Sequence, residues 1–126
     1  MLIAKQLDIS PSKIDYDSLV AEVYSTRANL LLLNKQFDKM VATARTGMKF
    51  KPLDFLKVYE VNGLLLAGKF DEALKSAQAI KNEKVQQISF YADMSFREVI
   101  QEELLFYKEQ YGIQCSDTEQ FIEKLK

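Results

Sequence analysis

The chain of 126 residues has no histidine, one cysteine, two prolines and four glycines, and each shortage closes off a class of answer. Without imidazole there is no histidine general base, no Ser-His or Cys-His nucleophile and no His-ligated zinc. Cys115 has no second cysteine to pair with, which fits a reducing, cytoplasmic setting. With no Lys, Arg or His beside it in the sequence, it reads as a plain surface or cap residue rather than a nucleophile. The glycines, Gly47, Gly63, Gly68 and Gly112, are isolated from one another, so no phosphate-cradling loop is present. So few chain breakers argue against a many-turned β architecture and for an almost wholly helical one. An excess of charge is also missing: 17 basic against 18 acidic residues give a formal net charge of −1. That balance leaves no electrostatic footprint for nucleic acid or an anionic membrane surface. The longest wholly apolar run, Leu30 to Leu33, is far below the ~20 residues a membrane span needs, and MLIAKQLDIS lacks the pattern of a signal peptide. Glu98, Glu102 and Glu103 have no complementary cluster elsewhere and read as the solvated side of a helix. The expectation is a protein with no catalytic set, no metal site and no cofactor.

What the chain has is an internal echo. Leu31-Leu32-Leu33 recurs 33 residues later as Leu64-Leu65-Leu66, Phe37-Asp38 as Phe70-Asp71, Asn29 as Asn62 and Ala44 as Ala77. A fixed period in this range is the signature of stacked helix-turn-helix units, each unable to bury its apolar face alone. Tyr24, Ala28, Phe37 and Pro52 in the first unit, with Gly68, Phe70, Asp71, Ala73 and Ala77 in the second, resemble the tetratricopeptide repeat (TPR). Met40 stands where that family has a small residue at the tight crossing, and Gly47 where it has alanine. The resemblance implies an all-α stack of antiparallel hairpins. We divide the single domain, 1–126, into repeat one at about 16–52, repeat two at about 53–82, and a divergent pair with a C-terminal cap at about 83–126.

Along the chain, Ser10-Pro11 or Asp15 can start a first helix that ends near Asn34, and a second runs from about Phe37 to Phe50 before Pro52. Asp54 is placed to cap a third helix that breaks at Gly68, and a fourth spans Phe70 to about Ile80. Val85, Ile88 and Tyr91-Ala92 have the spacing of a fifth, and Phe96, Val99, Ile100, Leu104 and Tyr107 that of a sixth, with Met94-Ser95 either a turn or the middle of one long helix. Gly112 suits a left-handed helix end, and Ser116-Asp117-Thr118-Glu119 reads as a capping box opening a last helix.

Four consecutive leucines, Leu30 to Leu33, sweep about 300° of a helix, so a single inward face does not absorb them all. In proteins this chain resembles, the first helices of successive repeats line a concave groove. By register the groove positions are Ser25, Asn29, Leu32 and Leu33 in the first unit and Val58, Asn62, Leu65 and Leu66 in the second, with Leu31 and Leu64 turned to the core. The asparagines would hydrogen-bond a ligand backbone and the leucines hold its apolar side chains. The expected function is a non-enzymatic adaptor or chaperone-like module that binds an apolar or amphipathic segment of a protein partner. Thr26, Tyr59 and Glu60 stand where the co-chaperone members carry clamp residues, which argues against a receptor for acidic tails. Three alternatives remain open: a needle-subunit chaperone, by similarity to the small TPR-like chaperones of type III secretion; a self-associating homodimer; and a groove filled by the chain's own N-terminal segment or its 116–126 helix.

Overall fold

The computed structural model describes residues 15–126. The Ser10-Pro11 start lies outside them. The described residues are all-helical: α1 (Tyr16–Leu33), α2 (Phe37–Phe50), α3 (Asp54–Leu66), α4 (Phe70–Ile80), α5 (Phe96–Phe106) and α6 (Thr118–Leu125). A 3-10 turn, Ser89–Tyr91, precedes α5, and one π turn, Tyr107–Tyr111, prolongs it. Helices α1 to α4 pack consecutively, α1 also touches α3, α3 touches α5, and α6 closes against α4 and α5. No helix among the described residues is long and apolar enough to cross a membrane.

Local chemistry sets most boundaries. The Asp15 carboxylate accepts the Ser18 backbone N–H at 3.1 Å and so caps α1. At the far end Lys35 adopts φ +59°, its N–H donating to the Leu32 carbonyl and that of Gln36 to the Leu31 carbonyl, both at 2.9 Å. The same pair of bonds closes α3, where Gly68 at φ +82° donates to Leu65 and Lys69 to Leu64. This is a Schellman turn made twice, at positions one sequence period apart. After Gly112, at φ +66°, Ile113 is buried and the chain turns into α6.

Small residues let the helices approach. Ala21 and Ala28 on α1, Ala44 on α2, and Ala73 and Ala77 on α4 are fully buried. A Cβ on Gly47 would stand 2.7 Å from Tyr24 Cβ, and one on Gly63 would stand 2.8 Å from Val41 Cγ2. Gly63 therefore makes the space that Met40, fully buried on α2, fills.

Three expectations are corrected. Residues 83–95 form no fifth helix. Val85 and Met94 pair their backbones at 2.8 Å, an antiparallel bridge joins Lys84 to Ser95, and Val85 and Ile88 anchor the irregular segment by burial. Asp54 does not cap α3: it is the first helical residue, and its carboxylate accepts the backbone N–H groups of Gln86 and Gln87, each at 2.8 Å, while Gln87 Oε1 accepts the Asp54 N–H. A tertiary contact thus takes the donors that a helix over 85–92 would leave to its own first turn. Finally, α6 begins at Thr118 without a side-chain cap, and the Thr118 hydroxyl turns back to the Cys115 carbonyl at 3.1 Å. The capping box is instead at Ser95 and Glu98, opening α5.

Candidate functional site

A cleft of about 430 Å³ lies between α1, α3 and α5. Helix α1 contributes Ser25, Thr26 and Asn29, and α3 contributes Phe55 and Tyr59 one turn apart. The 3-10 turn brings Phe90 and Tyr91 across the mouth, held there by the Asp54 clasp on the preceding residues. The fourth side is α5 with Glu103 and Phe106, and Tyr107 follows where the helix widens into its π turn. Aromatic rings dominate: Phe55 stacks on Tyr59 with centroids 5.7 Å apart, and Phe90 packs against Tyr91 at 4.6 Å. Phe90 nonetheless remains 72% exposed and Phe106 43%.

Polar groups in this setting are few and poorly matched. Glu103 is 7% exposed, and among the described residues its carboxylate has neither a hydrogen-bond donor nor a basic partner, the ion pairs lying elsewhere. Burial pushes it from the ordinary value of 4.5 up to about 7. Its charge and, first, their own burial raise the hydroxyls of Tyr59, Tyr91 and Tyr107 above the usual tyrosine range. The Tyr59 hydroxyl donates to Asn29 Oδ1 at 3.5 Å, and the Asn62 amide donates to the Tyr107 oxygen at 3.4 Å. The Asn62 side-chain oxygen, Oδ1, has no partner among the described residues.

Of the eight groove positions read from the sequence, the cleft includes two, Ser25 and Asn29. Leu32, Val58 and Leu65 are interior, and Asn62 sits beneath the cleft rather than on its wall. Leu33 is exposed and Leu66 half-buried, both away from the cleft lining. The phase of the first leucine triplet is one residue off: Leu32 is the core member and Leu31 is half-buried, because α1 turns Ala21, Ala28 and Leu32 toward the bundle interior. Sequence reasoning also placed Glu103 on a solvated face. The signal against that was present, since Phe96, Ile100, Glu103 and Tyr107 follow one another at four, three and four residues, the inward stripe of α5. Helix α6 does not enter the cleft: Phe121 meets Phe70 edge-on at 5.8 Å and Gln78 donates to the Lys124 carbonyl at 3.1 Å, on the far side of α4.

Comparison with protein-family models, with curated proteins and with solved structures gives no match. The functional reading rests on the geometry.

Proposed function

We propose that the chain is a non-enzymatic interaction module, a short TPR-like stack of hairpins that holds an apolar or amphipathic segment of a partner protein in the cleft between α1, α3 and α5. The repeated Schellman turn, one sequence period apart, supports the hairpin reading. The observation that carries the function is Phe90 and Phe106 standing in water at the mouth of a cleft whose deeper walls are tyrosine and phenylalanine. Exposed aromatics over a preformed concavity supply large contact area at low entropic cost, and such anchors dominate binding energy at interfaces. Random 16-residue peptides displayed on phage and selected on the purified protein test it. Selected peptides should lose roughly tenfold or more affinity on Phe90→Ser or Phe106→Ser while the urea midpoint stays in place. Peptides indifferent to both changes would refute the reading. A second reading, self-association, draws on the apolar stripe that α1 exposes through Tyr16, Leu19, Val23 and Leu30. Sedimentation at two concentrations separates them: constant monomer mass supports the receptor, and a concentration-dependent dimer supports self-association.

A further inference from the structure

We infer that the cleft is a receptor for an arginine side chain carried on the partner segment, its guanidinium lying among the rings of Phe55, Tyr59, Phe90 and Phe106 and pairing with Glu103. This rests on the interaction reading and names the chemistry of what the cleft takes. Glu103, a residue 7% exposed whose carboxylate has no donor and no cation among the described residues, is a costly feature in a domain free to place leucine there. Among the described residues no lysine or arginine lines the cleft. The groups that face Glu103 are uncharged hydroxyls, Tyr59 from α3, Tyr91 from the 3-10 turn and Tyr107 from the π turn. Every described element around the carboxylate therefore presents either a π face or a neutral polar group, and no described residue supplies the charge that would balance it.

Arginine fits this environment better than lysine. A guanidinium gives up water more readily than an ammonium, stacks flat on aromatic faces and presents several donors at once, which Glu103 and the Asn29 amide oxygen can accept. The cleft, at about 430 Å³, is larger than one side chain, leaving room for apolar neighbours of the arginine against Phe90 and Phe106. Because Glu103 is half protonated near pH 7, docking a cation expels that proton. Affinity should rise with pH through about 7 and then level off, since the arginine itself stays charged throughout.

The test uses the full 126-residue chain and three small probes: N-acetyl-arginine methylamide, its lysine counterpart and its neutral citrulline counterpart. Carbon-13 NMR follows the Glu103 carboxyl and the tyrosine rings. The arginine probe should shift the Glu103, Tyr59 and Tyr107 signals and lower the Glu103 titration midpoint, with citrulline about tenfold weaker and lysine between them. Glu103→Gln should remove the preference for arginine over citrulline while leaving the helical spectrum intact. Equal binding of arginine and citrulline, or a preference that survives Glu103→Gln, overturns the inference. The phage-selected peptides distinguish the two levels. If they need Phe90 but neither contain arginine nor respond to Glu103→Gln, the cationic assignment falls and the interaction reading stands. If they are indifferent to both Phe90→Ser and Phe106→Ser, the interaction reading itself falls and the inference of a partner-borne arginine falls with it.

Discussion

Glu103 gives the molecule a pH dependence with a defined sign. Its folded value, about 7, lies above the ordinary 4.5, so the native state holds the proton more tightly than the unfolded chain does. The stability it permits is fully present below pH 4.5 and is lost as pH rises through 7. Asp15 works in the opposite sense, because Lys51 and Ser18 hold its carboxyl well below the usual range, and its contribution disappears only in acid below 3.8. Between pH 5 and 8 the comparison therefore isolates Glu103: Glu103→Gln should flatten the fall in urea midpoint and exceed the parent by about 1–3 kcal/mol at pH 8. A parent and variant that run parallel across this range would place the carboxylate in water. At the α2–α3 crossing Gly63→Ala should destabilise, although alanine is the better helix former by about 1 kcal/mol. The new Cβ meets Val41 Cγ2 at 2.8 Å and Met40 Sδ at 3.3 Å, and a β-branched neighbour stiff at χ1 yields less than the methionine. Overpacking of this kind typically costs ~1–3 kcal/mol, and Val41→Ala in the same chain should recover part of it.

Among the elements, the segment from Glu83 to Met94 shows how far a helical pattern can mislead. Val85, Ile88 and Tyr91 recur at three residues, but three-residue spacing also suits a chain that dips repeatedly into a core without coiling. The deciding contact is Asp54, whose buried carboxylate takes two backbone donors and fixes Phe90 and Tyr91 at the cleft mouth. Asp54→Ala leaves those two N–H groups without their acceptor, a loss of about 1–3 kcal/mol. Amide exchange at Gln86 and Gln87 should accelerate in the variant, and peptide binding at the cleft should weaken with it. Unchanged exchange at both residues would mean that the segment is held by Val85 and Ile88 alone. The start of α5, by contrast, was open to sequence reading, because Ser95 and Glu98 stand at capping-box spacing. The box assigned to Ser116 and Glu119 did not form: the helix starts at Thr118, after Asp117 rather than after Ser116, and the Thr118 hydroxyl bonds back to Cys115.

At the scale of the whole molecule, which face of each helix turns inward is set by its neighbours. Leu32 is fully buried and Leu33 is 43% exposed, although nothing in their chemistry separates them. Leu32→Ser should cost at least the ~2–5 kcal/mol of a buried leucine truncation, and Leu33→Ser should stay within about 0.5 kcal/mol. Urea midpoints decide this directly. Equal losses would mean that the phase of α1 against α2 and α3 differs from that described.

The echo at 33 residues, the helix breaks near Asn34 and at Gly68, the stop at Pro52 and the left-handed end at Gly112 were legible from the sequence alone. All are local: a helix is closed by bonds four residues apart, and its ends by caps and turns within a few residues of them. The phase of the leucine triplets, the irregular path of residues 83–95 and the cleft were decided only in three dimensions. The cleft draws on α1, α3, the 3-10 turn, α5 and the π turn, from Ser25 to Tyr107. No periodicity within one helix specifies which residues of another will face it. Glu103, read from the sequence as solvated, shares the inward spacing of Phe96, Ile100 and Tyr107, and only the packing of four other segments around that stripe of α5 set it among aromatic rings.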